Sequence, residues 1–195
     1  MERWDDMHYF EPADISVYIQ GRGVILKEKS LIAYNETNGK ILAYGEEAVH
    51  AAENTLDNVK IISPLCRGII ADYMAAVNLF AFLLNKAWGK RPLRKPPVAV
   101  CVPENITITG KKVIEDTLYQ AGTGKVLVSV LPLEQLLEEI PGLSGSWHKV
   151  KTFICIGKDE PWGYIKEQLS EITSYAEREG ITANEVIKVF QEMYK

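Results

Sequence analysis

The sequence predicts an α/β protein with one lobe, a mixed sheet with flanking helices, followed by a C-terminal helical tail. Three observations support this class. Alternating segments separated by glycine turns occupy the N-terminal part, and short continuous apolar runs alternate with helical segments through the middle. The last part keeps a helical period of apolar residues. Such an order of elements predicts one sheet layered against helices.

The N-terminal part is predicted as an antiparallel meander. The alternating run "ISVYIQ" and the run "VILKEKSLIAY" flank Gly21-Arg22-Gly23, which predicts two strands joined by a tight turn. The pair Asn38-Gly39 predicts a second hairpin that leads into "KILAYG". A short helix over residues 46–53 and a strand "VKIIS" complete this part.

The middle of the chain is predicted as alternating buried strands and helices. Asp72 is the expected N-cap of the apolar helix "DYMAAVNLFAFLLNKAW". The runs "VAVCV", "KVLVSV" and "VKTFICIG" are typical of strands covered on both faces. Between them lie the helices "TGKKVIEDTLYQAG" and "LEQLLEEI". Gly122 closes the first of these, and this helix stop is favoured over a P-loop interpretation of "AGTGKV".

The C-terminal part is predicted as two helices. Asp159 and Pro161 begin the first, and the capping box from Thr182 to Glu185 begins the second. We therefore predict a lobe at residues 13–157 and helices packed on it at residues 158–195.

The predicted tail has two possible roles. Its helices either cover an apolar face of the sheet or form a partner-binding surface. In the second case the candidate anchors are Trp162, Tyr164 and Tyr175.

Composition excludes several classes of function. The formal net charge of −4 argues against a nucleic-acid partner, because phosphate binding needs a basic face. Three cysteines and three histidines are scattered without metal-ligand spacing, so we expect reduced thiols and no metal site. No long apolar run and no signal-peptide pattern are present, so a cytoplasmic protein is expected.

Several stretches closely resemble the N-terminal half of MreB and Mbl, the bacterial actins. In the order of that family they are "VYIQGRGVILKEKSLIAYNETNGKILAYGEEA", "SPLCRGIIADYMAAVNLFAFLLNK", "CVPENIT" and "VIEDTLYQAG", within residues 13–140. The resemblance implies an actin-like, ribonuclease-H-like first lobe. Family members bind ATP and form membrane-attached filaments, which makes the residues at their nucleotide positions informative.

At the position of the first phosphate loop, most of the family's phosphate-loop residues are replaced. Tyr9 stands where the family has its magnesium-side Asp, Glu11 stands at the Gly and Pro12 at the Thr, and only Ala13 is retained. A carboxylate at Glu11 would repel phosphate, and Pro12 has no N–H to donate.

The other nucleotide motifs are altered as well. The family's Glu-Glu-Pro, whose second Glu is thought to orient the attacking water, falls on Val130-Leu131-Pro132. The second phosphate loop falls near residues 155–161, where Cys155 replaces the Asp and Gly157 is the glycine that remains. Beyond this point the sequence departs from the family, and we expect no second lobe. The comparison implies no catalytic residues, no bound cofactor and no enzymatic activity.

The basic segment "KAWGKRPLRKPP" occupies the position of the family's membrane-dipping loop. An indole favours the headgroup boundary, and each base adds about 1 kcal/mol at an anionic leaflet. The predicted membrane contact consists of Trp88, Lys90, Arg91, Leu93, Arg94 and Lys95. The alternative is an ordinary solvated connection with Trp88 folded back onto the core.

The leading hypothesis is a non-catalytic MreB-like scaffold or regulator at the inner face of the cytoplasmic membrane or on a bacterial actin filament. Its expected partners are an anionic membrane surface, such a filament or another protein. The alternative is an actin-like ATPase whose nucleotide site is completed by a second chain or in a homodimer. A third possibility is a remnant with no activity beyond folding.

Overall fold

The structure is a computed structural model that describes residues 12–54, 58–66, 68–89, 92, 94–143, 145, 147–157, 172, 175–176, 178, 180–182 and 184–188. The chain divides into two compact units, Met1–Gly157 and Lys158–Lys195.

The first unit contains strands and helices in the predicted alternation. Its strands are β1 (Asp14–Ile19), β2 (Gly23–Lys29), β3 (Ile32–Asn35), β4 (Ile41–Tyr44), β5 (Val59–Ile62), β6 (Leu65–Cys66), β7 (Ile69–Ile70), β8 (Val98–Cys101), β9 (Val126–Ser129) and β10 (Thr152–Ile156). Its α-helices are α1 (Glu47–Asn54), α2 (Tyr73–Trp88), α3 (Ile108–Gln120) and α4 (Leu133–Glu139). Short 3-10 helices lie at Ile140–Gly142 and Trp147–Lys149.

The main sheet has five strands in the order β2-β1-β10-β8-β9. β1 is antiparallel to both β2 and β10, whereas β8 is parallel to both β10 and β9. β10 therefore lies at the centre, and all five of its residues are buried. This burial agrees with its continuous apolar pattern. The mixed sheet with flanking helices confirms the predicted fold class.

Helices cover both faces of the main sheet. Side chains alternate along a strand, so Val98 and Val100 join the core with α2 and α3. Ala99 and Cys101 face the other way and pack in a cluster with Leu136 of α4. Because helices cover β8 on both faces, its sequence is an uninterrupted apolar run.

The N-terminal end of α2 follows the predicted capping, and a glycine ends the helix. The Asp72 carboxylate accepts a hydrogen bond from the N–H of Ala75 at 2.9 Å, which confirms the N-cap. Gly89 ends the helix with φ +72°, and its N–H donates to the carbonyl of Asn85 at 3.0 Å. Glycine adopts this left-handed conformation without the steric penalty of a side chain.

A second sheet, of order β4-β3-β5, packs with α1. The continuous strand predicted for "VILKEKSLIAY" was wrong, because it divides at Ser30 and Leu31 between β2 of the main sheet and β3 of the small one. Ser30 is fully buried there. Its hydroxyl accepts from the N–H of Leu65 and its own N–H donates to the carbonyl of Ala13, both at 2.8 Å. These bonds hold the chain at the crossing between the two sheets.

The predicted hairpin at Asn38-Gly39 is present as β3 and β4, with a loop longer than a two-residue turn. The loop covers residues 36–40, and the Asn35 side chain accepts from the N–H groups of Thr37 and Asn38 at 3.0 and 3.1 Å. Gly39 closes it with φ +67°. The side chain of Asn35 replaces a backbone turn, as asparagine does at such positions.

The second unit contains helical residues at 172, 175–176, 178 and 184–188. One half of the predicted capping box is present, because the Glu185 carboxylate accepts from the N–H of Thr182 at 2.8 Å. The Thr182 hydroxyl also donates to this carboxylate, at 2.7 Å. These bonds lower the pKa of Glu185. The helix start predicted at Asp159 and Pro161 lies outside the described residues.

Candidate functional site

The carboxyl ends of β8, β9 and β10 meet at one edge of the main sheet, together with the start of the antiparallel β1. Open α/β sheets bind ligands beyond this edge, where the strand order changes direction. We call it the carboxyl edge; its described backbone runs through Ala13, Pro103, Ser129 and Gly157. It is also where the altered phosphate motifs fall.

Backbone N–H groups at the carboxyl edge are bonded within the protein. The N–H of Ala13 donates to the carbonyl of Leu65 at 3.0 Å, and the N–H of Gly157 donates to the carbonyl of Asp14 at 2.9 Å. Pro12, which has no N–H, forms an isolated antiparallel bridge with Cys66. A phosphate cradle needs several free N–H groups directed at one point, and these two donors are directed at carbonyls.

The Pro103 ring fills the space between two glycines at the same edge. A Cβ on Gly68 would lie 2.7 Å from Pro103 Cγ, and a Cβ on Gly157 would lie 3.3 Å from that atom. Both glycines also have positive φ, +80° and +113°. Because the two glycines have no side chains, the Pro103 ring can lie close to their backbone. In a nucleotide-binding protein, the backbone at this edge lies close to phosphate instead.

The described carboxylate at the start of β1 is paired with a lysine. Asp14 is exposed, and its carboxylate lies 3.3 Å from Lys29 Nζ across the β1–β2 pair. The position of the family's Glu-Glu-Pro is Val130-Leu131-Pro132, which carries no acid, and the N–H of Leu131 donates to Ser129 Oγ at 3.1 Å. Tyr9, Glu11 and residues 158–161 lie outside the described residues. Among the residues that are described, no three His, Cys, Asp or Glu side chains are grouped to hold a metal.

The basic segment leaves α2 at the opposite end of the sheet. The Trp88 ring packs against the main core, and its Nε1–H donates to Thr152 Oγ1 at 3.2 Å. In this conformation the indole is held by the core. This geometry is the one predicted by the alternative interpretation, in which Trp88 folds back onto the core.

The remaining predicted contact residues divide into two groups. Arg94 and Lys95 are exposed, and Lys95 Nζ lies 5.2 Å from the centroid of the Tyr119 ring. Lys90, Arg91 and Leu93 lie outside the described residues. Membrane binding by this segment stays a prediction.

The fold brings further bases to the end of the sheet where β8, β9 and β10 begin, which we call the amino edge. The β1–β2 turn reaches this edge too, since the N–H of Gln20 donates to the carbonyl of Lys151 at 2.8 Å. The exposed bases gathered there, besides Arg94 and Lys95, are Arg22, Lys125, Lys149 and Lys151. Sequence analysis missed this grouping, because the four residues are scattered along the chain and only the strand order brings them together.

The longest described helix is α2, with 16 residues, and no helix in the described part of the chain is long and apolar enough to span a bilayer.

The fold and the strand-edge geometry define an actin-like protein. The crystal structure of MreB5 of Spiroplasma citri bound to ADP superposes on 60% of this chain and 35% of its own, with a TM-score of 0.53 and 24% identity. At this level of identity the match concerns the fold alone.

The chain belongs to the MreB/Mbl protein family, which matches residues 11–134. The cell shape-determining protein Mbl of Bacillus cereus is 32% identical over 120 residues, which are 62% of this chain and 36% of Mbl. The cell shape-determining protein MreB of Escherichia coli is 25% identical over 126 residues, with the same two shares. The chain thus spans roughly a third of the length of these curated relatives, 36% by the aligned share. The resemblance inferred from sequence is confirmed.

Proposed function

We propose that this protein is a non-catalytic MreB-like scaffold or regulator that acts at the inner face of the cytoplasmic membrane or on a bacterial actin filament. The observation that carries the proposal is the use of the Ala13 and Gly157 N–H groups in bonds to protein carbonyls. An actin-like lobe whose Ala13 and Gly157 N–H groups are engaged in this way still has its outer surfaces for binding. Its relatives are cell shape-determining proteins, which makes a cytoskeletal role the natural context.

The amino edge is the proposed membrane contact. We assign the contact to Arg94 and Lys95 together with Lys90, Arg91 and Leu93 of the same segment. In this proposal Trp88 supports the segment from the core, and the bases supply the attraction to anionic lipid, about 1 kcal/mol each. The other bases of the amino edge extend the same positive surface.

Co-sedimentation with phosphatidylglycerol vesicles tests the membrane contact. The Arg94→Glu/Lys95→Glu variant is expected to bind at least tenfold more weakly than the unaltered protein, because two bases are replaced by acids. The matched control is Lys40→Glu/Lys60→Glu, which makes the same change in net charge at an exposed position of the β3–β4 loop and an exposed position of β5. Equal loss in both variants would mean that only net charge matters, and unchanged binding in the first would remove this segment from the contact.

The alternative is an ATPase whose site is completed by a second chain or by a homodimer, and the ADP held by MreB5 gives it a structural precedent. Calorimetric titration with magnesium ATP, at protein concentrations that favour self-association, separates the two functions. We expect no heat of binding. A micromolar dissociation constant would overturn the non-catalytic proposal and direct attention to what completes the site.

The filament part of the proposal has its own test. The protein is mixed with polymerised MreB and sedimented, with and without the vesicles. Recovery in the filament pellet without vesicles supports a filament partner. Recovery only when vesicles are present assigns the contact to the membrane.

A further inference from the structure

The outer side of β9 carries backbone groups that no described residue pairs. β9 is the last strand in the main sheet, and its strand partner within the described residues is β8. The carbonyl of Ser129 accepts from the N–H of Val102 at 2.9 Å, so Ser129 directs its peptide groups towards the β8 side. Because these directions alternate along a strand, Val126 and Val128 direct their N–H and C=O groups to the open side.

A groove of about 500 Å³ crosses this open edge at the start of β9. One wall is a face of α3 that includes Glu115 and Tyr119. The opposite wall is Trp147, which packs against the cluster on the other face of the sheet. Val126 lines the floor between the walls. The groove therefore surrounds an unpaired strand edge and is bounded on both faces of the sheet; we call it the β9 groove.

Lys112 pairs with both acidic residues of the β9 groove and balances the charge of one of them. Lys112 Nζ lies 3.1 Å from Glu115 Oε2 and 3.4 Å from Asp116 Oδ1. All three side chains lie on one face of α3, at the spacing that allows such pairs. A cationic ligand would have to compete with Lys112 for both carboxylates.

Two other lysines, Lys125 in the lining of the β9 groove and Lys95 over its Tyr119 wall, have no carboxylate partner among the described residues. Lys125 Nζ lies 6.0 Å from the centroid of Trp147, and Lys95 Nζ lies 5.2 Å from the centroid of Tyr119. Each lysine is exposed and rests over an aromatic ring. With Lys95 counted, three lysines and two carboxylates stand at the groove among the described residues, so their net charge is +1. Lys95 and Lys125 each stand beside an aromatic face.

We propose that an extended acidic segment of a partner protein binds the β9 groove by adding a strand to the open edge of β9. Backbone groups of Val126 and Val128 bond the segment, as in other cases of strand addition. The side chains of an added strand alternate between the two faces of the sheet. Acidic side chains then approach Lys125 beside Trp147 on one face and Lys95 beside Tyr119 on the other. This inference goes beyond the proposed function. It shares Lys95 and Lys125 with the proposed positive surface of the amino edge, but its test uses peptides and no lipid.

Selection from a library of random octapeptides displayed on phage tests the inference directly. The unaltered protein is the bait, and the Lys125→Glu variant is used for counterselection. We expect the enriched peptides to be acidic, to alternate acidic and apolar residues, and to lack proline. A failure to enrich, or enrichment of basic or neutral sequences, overturns the proposal.

A synthetic version of the most enriched peptide then locates the binding. We expect slower amide hydrogen exchange at Val126 and Val128, and loss of binding when alternate peptide nitrogens are methylated. Lys125→Glu should weaken binding by about five- to tenfold, whereas the control Lys40→Glu should leave it unchanged.

Three outcomes contradict the proposal at this stage. Equal binding of the methylated peptide excludes strand addition, and exchange protection confined to another region excludes β9. Concentration-dependent dimerisation without peptide, abolished by Lys125→Glu, shows that a second copy of this chain is the occupant instead of a partner.

Discussion

The rings of Tyr44 and Phe82 are stacked, with centroids 4.2 Å apart and planes 10° from parallel. Tyr44 belongs to the small sheet and Phe82 to α2, so this pair joins the small sheet to the helix layer of the main sheet. One turn further along α2, Lys86 Nζ lies 5.6 Å from the centroid of Phe82 and 2.8 Å from Glu28 Oε1 of β2. The hydrogen bond to Glu28 raises the pKa of Lys86. Three structural elements thus meet at one aromatic pair.

Replacing Phe82 should loosen the small sheet. We expect Phe82→Ala to lower the free energy of unfolding by about 2 kcal/mol, because both packing area and the ring stack are lost. Urea denaturation measures this loss. Leu42→Ala on β4, where the side chain is 43% exposed, should change stability by less than about 0.5 kcal/mol. Equal effects of the two substitutions would mean that the stack contributes nothing specific.

Stability should fall in alkaline solution through two tyrosines. Burial and the charge of Asp72 raise the pKa of Tyr34 above its ordinary value of 10.0, although a hydrogen bond with Asn78 opposes the shift. Burial and the neighbouring Tyr34 raise the pKa of Tyr44. The folded state therefore keeps both phenols protonated at a pH where the unfolded chain has released its protons.

The free energy of unfolding should thus be unaffected below the ordinary tyrosine pKa and should decrease as the pH rises through the raised values. Urea denaturation at about pH 8 and about pH 10.5 measures the decrease. The Tyr34→Phe/Tyr44→Phe variant should lose less stability between the two conditions than the unaltered protein. An identical loss would assign the alkaline effect to other groups.

Trp88 should contribute to stability through the core. Trp88→Ala is expected to lower the free energy of unfolding by about 2–3 kcal/mol, since the ring packs on the main cluster. Thr152→Val should cost about 1 kcal/mol by leaving the indole N–H without its acceptor. Chemical denaturation followed by circular dichroism measures both. Unchanged stability in Trp88→Ala would instead indicate a solvent-facing indole that is free to meet a membrane.

The N-cap of α2 should be worth about 1 kcal/mol. Asp72→Ala removes the acceptor for the N–H of Ala75 and should lower the thermal midpoint accordingly. Asp72→Ser retains a capping oxygen and should recover most of the loss. If serine is no better than alanine, the hydrogen bond is not the source of the effect.

The contact between Gly68 and Pro103 can be separated from backbone strain. Gly68 and Gly21 both have φ +80°, but a Cβ at Gly21 meets nothing within 4 Å, whereas one at Gly68 meets the Pro103 ring at 2.7 Å. Gly21→Ala should cost about 1 kcal/mol, from the left-handed backbone alone. Gly68→Ala should cost clearly more, and the difference in urea denaturation measures the close approach. Equal costs would show that the Pro103 ring moves aside.

The sequence predicted the type of most elements, since their signals are local. The capping oxygen of Asp72 and the continuous apolar run of β10 depend on nearby residues. The division at Ser30 could not be predicted in this way. Its cause is a hydrogen bond to Leu65, which is distant in the chain and becomes a neighbour only after folding.

The candidate sites show the same limit. The resemblance indicates which residues are replaced at the phosphate positions. It does not indicate that the N–H groups of Ala13 and Gly157 donate to carbonyl groups of the protein. Trp88 was predicted to contact a membrane because it is a tryptophan beside several basic residues. No local sequence pattern indicates that Thr152 is its hydrogen-bond partner. The β9 groove combines α3, the start of β9 and Trp147, so its chemistry exists only once the strand order is known.

The position of β10 has a consequence for how the chain folds during synthesis. The central strand of the main sheet is the last of its strands to be made, so β1 and β8 have no common partner until Thr152–Ile156 has left the ribosome. The small sheet with α1 needs only contacts within the first part of the chain and can form early. Closing the long loop between β1 and β10 is entropically slow, and the apolar strand β8 stays unprotected until it happens. Ribosome-bound chains that end before β10 should therefore need a chaperone, and release of the last strand should set the rate of folding.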